Sequence, residues 1–147
     1  MKIIVDANIV FSAILNTNGK IADLLINSGK TFDFVAPNFL RYEIQKHYPR
    51  LTKISGLPRA KIIEAELHVC KYINFLSEEQ IKAPHWAFAE KLVADVDPDD
   101  VVYIAYTKQF RCKLWSGDKA LMKGLLQKGF SNFLTTDEMY NLRQSLI

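Results

Sequence analysis

Short β-branched runs alternate with segments of helical periodicity along almost the whole chain. The first run, KIIV at Lys2–Val5, precedes apolar residues at helical spacing, and this order of strand and helix returns several times. Parallel strands need long crossover connections, which helices supply, whereas antiparallel strands need only a tight turn. The alternation therefore predicts an α/β fold with a mainly parallel central sheet that helices cover on both faces.

Element boundaries follow from turn residues and from the spacing of apolar positions. Strands are predicted at 2–5, 32–36, 73–76, 113–115 and 132–134, and helices at 8–16, 20–28, 37–47, 59–72 and 84–93, after 97, after 118 and after 136. Pro37 is predicted to open the third helix. The segment 48–58, with Pro49, Gly56 and Pro58, is predicted to be a break. In the helix after it, Ile62, Ile63, Leu67 and Cys70 are predicted to face inward.

The chain has the size and composition of one domain, spanning residues 1–147. It is 49% hydrophobic and 24% charged, which is ordinary for a globular protein and unlike a disordered one. Cys70 and Cys112 lack the spacing of a zinc site or a disulfide framework, so a reducing cytoplasm is expected. Asp6 and Asn8 interrupt the apolar N-terminus, and no apolar run approaches about twenty residues, so we expect neither export nor a membrane span.

Acidic residues follow two of the predicted strands and open one helix. Asp6 comes directly after the first strand, Asp118 follows the fourth, and acids at 97, 99 and 100 precede the apolar run VVYIA. The carboxyl ends of parallel strands share one edge of a sheet, where α/β folds place their sites. Taken singly, each of these acids is typical of a helix N-cap, with Asp97 and Asp100 close to a capping box. Three acids in four residues, however, repel one another unless a cation intervenes.

Glu43 differs from these acids because it is predicted to lie roughly 9 Å inside the helix opened by Pro37. It shares a face with Phe39 and His47, at offsets of four. On the sequence alone, a solvated glutamate paired with Lys46 or His47 is the simpler interpretation. If Glu43 instead faces the strand ends, it adds a fourth carboxylate to the site.

Four carboxylates at one edge would supply the oxygen ligands that Mg²⁺ and Mn²⁺ prefer. Two such ions about 4 Å apart activate a water and stabilise the departing oxygen of an in-line displacement. This chemistry needs no serine or histidine nucleophile, and none of the three histidines has a motif around it. The prediction from the residues is phosphodiester hydrolysis.

Basic residues accompany the acids, and the formal charge of +3 suits a polyanionic partner without identifying one. Lys119 and Lys123 are predicted to contact phosphate, because the helix N-terminus beside them also presents amide donors. A basic stretch flanking Glu43 can follow a phosphate backbone or be a solvated surface, and the sequence does not separate the two. Its members are Arg41, Lys46, Arg50, Lys53, Arg59 and Lys61.

Four motifs occur in order along the chain: IIVDANIVFSAIL, FLRYEI, DVDPDDVVYIAYTK and LWSGDKALMKGL. Together they resemble the PIN domain family over nearly the whole chain, and in particular the branch often found as the toxin of bacterial toxin–antitoxin pairs. The resemblance implies a three-layer α/β/α sandwich and an acidic pocket that holds Mg²⁺ or Mn²⁺ for endoribonuclease cleavage of RNA. It also implies a small antitoxin protein and a second copy of the chain as partners.

The resemblance carries four site residues across. Asp6 matches the first acid of the family, Glu43 the acid of the third helix, and Asp118 the acid of the Gly-Asp motif. Asp100 matches the acid that stands five residues before a helix alanine. All four are therefore expected to bind metal and to be catalytic.

Three further residues are implied as ligands or as support. Asp97 matches an additional acid of this branch. It is expected to bind the metal, to hydrogen-bond a metal ligand or to cap the helix, and its role relative to Asp99 stays open. Asn8 and Ser116 stand where the family often has small polar residues that hydrogen-bond the acids. The one departure is Trp115 with Ser116, where a small residue with threonine is also common, and it leaves the acidic set complete.

Other classes of function remain to be weighed against a nuclease. A non-catalytic RNA-binding or protein-interaction module would keep the fold, and it would be favoured if one of the acids were replaced, which none is. A phosphatase with Asp6 as nucleophile is disfavoured, because its signature requires an acid two residues later, where Asn8 stands. A dinucleotide-binding domain is disfavoured because the chain has no G-x-G-x-x-G motif.

Overall fold

The computed structural model describes residues 1–95 and 100–146. Along these residues five strands and nine α-helices follow one another: β1 (Lys2–Val5), α1 (Ala7–Leu15), α2 (Lys20–Asn27), β2 (Asp33–Pro37), α3 (Phe39–Lys46), α4 (Tyr48–Ser55), α5 (Arg59–Cys70), β3 (Ile73–Leu76), α6 (Ala83–Val93), α7 (Val101–Phe110), β4 (Lys113–Trp115), α8 (Lys119–Gln127), β5 (Phe133–Leu134) and α9 (Thr136–Ser145). A single 3₁₀ turn at Glu78–Gln80 follows β3.

All five strands form one parallel sheet in the order β3-β2-β1-β4-β5, which confirms the predicted parallel α/β architecture. The chain moves outward from β1 to β3, then crosses back to place β4 on the other side of β1. Open α/β sheets leave a crevice at the carboxyl ends of the strands where the order reverses in this way. Because β1 ends at Val5 and β4 at Trp115, the residues that follow into this crevice are Asp6 and Ser116.

Successive residues of the strands face two different hydrophobic cores. Ile3 and Val5 pack into a core that α1 to α5 and α9 cover, whereas Ile4 packs into a second core covered by α6, α7 and α8. The register pairs Ile4 with Val35 on one side and with Leu114 on the other, and all three side chains face the second core. Burial on both faces explains why these strands are continuous apolar runs. The three-layer α/β/α sandwich is therefore confirmed.

One predicted helix start and one predicted break are wrong, and both errors involve proline. Pro37 is the last residue of β2, and α3 begins two residues later. The segment 48–58 is not a break, because most of it forms α4. Pro49 lies in the first turn of that helix, where the missing N–H has no helical partner to lose, and Gly56 ends the helix with a φ of 72°.

Helix α5 buries a narrower face than its sequence predicted. Ile62 and Val69, seven residues apart, are fully buried, whereas Leu67 is 69% exposed. A residue two positions before Val69 points about 200° away around the helix, so one stripe cannot bury both. The prediction that Leu67 faces inward is therefore wrong.

No single helix within residues 1–95 and 100–146 has both the length and the apolar character needed to cross a membrane. The pair α1 and α2, bent by 108° at the short break between them, meets the requirement in length and composition only. Both helices contribute buried residues to the first core.

Candidate metal centre

An open cleft of about 970 Å³ lies at the carboxyl edge of the sheet. All four of the predicted acids line it: Asp6, Glu43, Asp100 and Asp118. They come from four separate places in the chain, namely the end of β1, the middle of α3, the start of α7 and the turn after β4. The strand order brings them together, because it sets β4 directly beside β1. Asp97, which was predicted as a fifth ligand, and Asp99 lie outside the described residues.

Asp6 occupies the N-cap position of α1, but its side chain makes no capping hydrogen bond. Instead, the Ser116 hydroxyl donates a hydrogen bond of 2.7 Å to Oδ2 of Asp6. Burial raises the pKa of Asp6, and the charge of Asp118 adds to the effect, whereas the Ser116 hydroxyl and the backbone amides of Ala7 and Asn8 oppose it. A cation beside a buried carboxylate stabilises its charged form, so this environment suits a metal ligand.

Ser116 joins Asp6 to Asp118 through one fully buried hydroxyl. Besides donating to Asp6, this hydroxyl accepts a hydrogen bond of 3.0 Å from the backbone N–H of Asp118. Asp118 Oδ1 in turn accepts from the backbone N–H of Leu121 at 3.0 Å, so Asp118 caps α8. A carboxylate has two oxygens and can cap a helix while it also faces a cleft. The N-cap interpretation thus applies to Asp118 and not to Asp6.

Glu43 lies on α3 with Oε2 at 3.6 Å from Nε2 of His47, one turn later. The ring of Phe11, from α1, packs edge-on against the His47 ring with 5.2 Å between their centroids, which restrains the imidazole. The sequence offered a pairing with Lys46 or His47 as the alternative to a site residue. Both properties occur together, since Glu43 pairs with His47 and also lines the cleft.

Asp100 immediately precedes α7 and is 9% exposed. The sequence predicted a helix start at Asp97, which lies outside the described residues; within them, α7 begins at Val101. The Asp100 side chain makes no capping hydrogen bond to α7. Asp100 therefore lines the cleft, and its carboxylate does not cap α7.

Although four acids line one cleft, they do not converge on one point. Within residues 1–95 and 100–146, no three acidic, histidine or cysteine side chains lie close enough together to share an ion. The donor set nevertheless fits Mg²⁺ or Mn²⁺, because hard cations prefer carboxylate oxygens, and a cation would offset the burial of the Asp6 charge near Asp118. Binding would require the carboxylate side chains to turn toward one another.

Only some of the basic residues named in the sequence line the cleft. Of the six residues in the basic stretch around Glu43, Lys46 and Arg50 line the cleft and the other four do not. Arg41, for example, stacks on an aromatic ring of β3 at 4.0 Å from the ring centroid. Lys119 and Lys123, predicted to contact phosphate, are exposed on α8 and lie outside the cleft lining.

Comparison with known proteins shows the family of the chain that carries this cleft. A family model described as PIN domain matches residues 4–143. The chain belongs to the PIN domain family. Members of this family are generally nucleases and typically use divalent metal ions. No curated protein gives a significant sequence match.

Among solved structures, this PIN domain is similar to one of VapBC2 from Rickettsia felis bound to a DNA fragment from their promoter. The TM-score is 0.67, and the match covers 92% of this chain and 97% of that chain. The sequence identity of 11% is low, so the likeness shows the fold alone.

Several residues of this PIN domain that lie at the cleft were not predicted as site residues from the sequence. Tyr103 stands three residues after Asp100, and this helical spacing was the available signal that it shares a face with the acid. Trp86 lines the cleft from α6, with no signal in its neighbourhood. His47 carried no motif, yet it contacts Glu43. Asn8, expected to support the acids, does line the cleft and acts on Asp6 through its backbone amide.

Replacing Ser116 with alanine is expected to lower the free energy of unfolding by about 1–3 kcal/mol. The buried Asp6 carboxylate would lose its donor, and the Asp118 amide would lose its acceptor. Urea unfolding followed by far-ultraviolet circular dichroism measures the loss. Ser116→Thr keeps the hydroxyl and serves as the control. A threonine variant as unstable as the alanine variant would mean that packing, and not the hydroxyl, decides stability here.

Proposed function

We propose that this PIN domain is a metal-dependent endoribonuclease that hydrolyses RNA phosphodiester bonds, with Mg²⁺ or Mn²⁺ as its cofactor. The observation that carries the proposal is that Asp6, Glu43, Asp100 and Asp118 line one cleft at the switch point of the sheet. Membership of a family of nucleases supports the reaction class. These four carboxylates are the proposed metal ligands and catalytic residues, and Asp97 is a proposed additional ligand.

The side chains around the acids would keep the proposed ligands in place. Ser116 orients Asp6 by its hydrogen bond, and His47 restrains Glu43 by their pairing. Asp118 is held at the start of α8 by its cap. When bound, a divalent cation supplies Lewis-acid stabilisation of phosphate charge and lowers the pKa of a coordinated water. The chain itself contributes positioning and a partly buried setting in which charges act strongly.

A cleavage assay on end-labelled RNA tests the proposed activity. We expect cleavage with Mg²⁺ or Mn²⁺, none with excess chelator, and none by the Asp100→Asn variant. Glu90→Gln is the matched control, because Glu90 is an exposed acid on α6 outside the cleft lining, and this variant should cleave like the native chain. If the native chain cleaves no RNA with either cation, a non-catalytic PIN module that binds RNA or protein is favoured instead.

Lys46 and Arg50 are the proposed phosphate contacts of the RNA strand, because they line the same cleft as the acids. Replacing each with alanine is expected to weaken binding and to reduce the slope of log affinity against log salt concentration by about 0.7 per contact for a single strand. Fluorescence anisotropy with chelator present, over a range of NaCl concentrations, measures this slope without cleavage.

Lys61→Ala is the control for this binding measurement, because Lys61 is exposed and pairs with Glu64 at 3.4 Å outside the cleft. Its salt dependence should match that of the native chain. A double variant of Lys46 and Arg50 with an unchanged slope would contradict the proposed path of the strand.

We also propose a biological setting, namely a cytoplasmic toxin that forms a homodimer and is held inactive by a small antitoxin protein. The resemblance of the four motifs to the toxin branch supports this proposal. Expression of the native chain should arrest growth, co-expression of a small antitoxin encoded next to it should restore growth, and Asp100→Asn should be harmless. Unaffected growth would contradict the toxin role.

The proposed homodimer has its own test. Light scattering after gel filtration measures the molar mass of the protein in solution, and a mass of one chain would contradict the dimer.

A further inference from the structure

Tyr103 lines the acidic cleft one turn after Asp100 on α7. Its side chain is 3% exposed. The ring of Phe39, from α3, packs edge-on against it, with 5.6 Å between the centroids and 67° between the planes. Because two helices hold the ring, the phenol has little freedom to turn its hydroxyl elsewhere.

The hydroxyl of Tyr103 is buried and has no hydrogen-bond partner among residues 1–95 and 100–146. Such groups are rare in native proteins, and each one calls for an explanation. Burial raises the pKa of Tyr103, and the charges of Asp6, Asp100 and Glu43 add to the effect, whereas the backbone amide of Ala7 opposes it. The phenol O–H is thus a hydrogen-bond donor close to carboxylates, whose oxygens can accept.

Among the described residues, the Tyr103 hydroxyl lacks an acceptor, and the carboxylates of the cleft are not held toward a common point. Across the described part of the chain no three acids lie close enough to share one ion, so a bound cation would have to draw the carboxylates together. A carboxylate that turns toward a common point can present an oxygen to the Tyr103 hydroxyl. One rearrangement therefore accounts both for the spread of the acids and for the buried donor.

We propose that Tyr103 is a positioning residue of this site: once a divalent cation is bound, its hydroxyl donates a hydrogen bond to one of the carboxylates and holds it in its ligating orientation. This inference rests on the proposed function in taking the cleft to be a metal site. Partners that orient metal ligands in this way typically contribute 10- to 100-fold to metal affinity. Tyr103 itself touches neither the cation nor the RNA.

Mn²⁺ binding by the metal-free protein, measured by isothermal titration calorimetry, tests the proposal. Tyr103→Phe removes the hydroxyl and keeps the ring that packs against Phe39, so we expect about tenfold weaker binding of Mn²⁺. The metal-free variant should unfold at the same or a higher urea concentration than the native chain, because it loses a buried hydroxyl that lacks a partner.

Tyr106→Phe is the matched control, because Tyr106 lies on the same helix and its hydroxyl donates to the Leu76 carbonyl at 2.9 Å, outside the cleft lining. This variant should bind Mn²⁺ like the native chain and unfold more easily, since a satisfied hydrogen bond is lost. Equal weakening of Mn²⁺ binding in the Tyr103 and Tyr106 variants would overturn the proposal.

Mn²⁺ affinity of Tyr103→Phe within about twofold of the native value would also overturn it, as would a native chain that does not bind Mn²⁺. The measurement needs no RNA, so a native chain that binds Mn²⁺ without cleaving RNA contradicts the ribonuclease proposal and still decides the role of Tyr103. In a cleavage assay, the expected defect is a higher Mn²⁺ concentration for half-maximal rate, with the native rate restored at saturation. A lower rate at saturating Mn²⁺ with an unchanged half-maximal concentration would contradict a positioning role.

Discussion

Asp6→Asn is expected to reduce RNA cleavage by about 10²- to 10³-fold or more while the chain keeps its fold. Asp6 is the most buried of the four acids, at 4% exposure, and it lies where β1 meets the cleft. Asparagine has the same shape, and its amide oxygen can still accept the hydrogen bond from Ser116. The substitution therefore removes the charge and little else. Single-turnover cleavage with Mn²⁺ at saturation measures the effect.

The same substitution is expected to stabilise the metal-free protein near neutral pH. The pKa of Asp6 is raised in the folded state above its ordinary value of 3.8, so the folded state binds this proton more tightly than the unfolded state. The charge on Asp6 therefore destabilises the fold above that raised pKa, and the penalty disappears as the pH falls through it. The stability gap between Asp6→Asn and the native chain should be widest near neutral pH and should narrow in acid. A gap that does not change with pH would contradict this account.

Mn²⁺ should reverse this order of stability. A ligand that binds only the folded state stabilises it by about 2.7 kcal/mol at a hundred times its dissociation constant. The native chain should gain this stability, and Asp6→Asn should gain little. Asp33→Asn is the control, because Asp33 is an exposed acid at the start of β2, at the opposite edge of the sheet, where it pairs with Lys2 at 3.7 Å. This variant should respond to Mn²⁺ and cleave RNA like the native chain.

Trp115→Ala is expected to lower the free energy of unfolding by about 3–5 kcal/mol. Trp115 is the last residue of β4 and is fully buried in the first core. Its ring packs against Phe34 of β2 with 5.8 Å between the centroids, and its Nε1 donates to the Thr136 hydroxyl at 3.1 Å. The truncation would leave a large cavity and break the link to α9. Since domains are typically stable by about 5–15 kcal/mol, this variant would be close to unfolding.

Two further substitutions keep the Trp115 prediction open to test if the alanine variant does not fold. Trp115→Phe keeps an aromatic ring and should lose clearly less stability than the alanine variant. Trp86→Ala is the matched control, since Trp86 is half-buried at the cleft, and its loss should be nearer about 1–2 kcal/mol. Urea unfolding should be followed by circular dichroism, because each variant removes a fluorescent probe. Equal losses at both tryptophans would contradict the packing described for β4.

The strands could be predicted from the sequence because their apolar character is local and continuous. Ile3, Ile4 and Val5 are all buried, since one core takes alternate residues and the other takes the rest. The helix starts at proline could not be predicted as reliably. Pro37 ends a strand and Pro49 lies in the first turn of a helix, and local preference allows proline in both places.

Asp6, Glu43, Asp100 and Asp118 line the cleft, but the sequence could not distinguish a helix cap from a cleft carboxylate. Asp6 and Asp118 both occupy N-cap positions, yet only the Asp118 side chain accepts a capping hydrogen bond. The difference depends on Ser116, which lies 110 residues from Asp6 and binds its carboxylate. Contacts over such distances in sequence leave no trace in local spacing.

By itself, the sequence determined the strands, their alternation with every helix except α4, the parallel sheet and the family of the chain, because these follow from local periodicity and from motifs of a few residues. Only the tertiary structure decided that Lys46 and Arg50 line the acidic cleft, that Glu43 pairs with His47 while facing that cleft, and that the Tyr103 hydroxyl is buried near the acids. The physical reason is the reversal of strand order at β1 and β4. It brings together side chains from α1, α3, α7 and the turn after β4, whose burial and charge depend on one another.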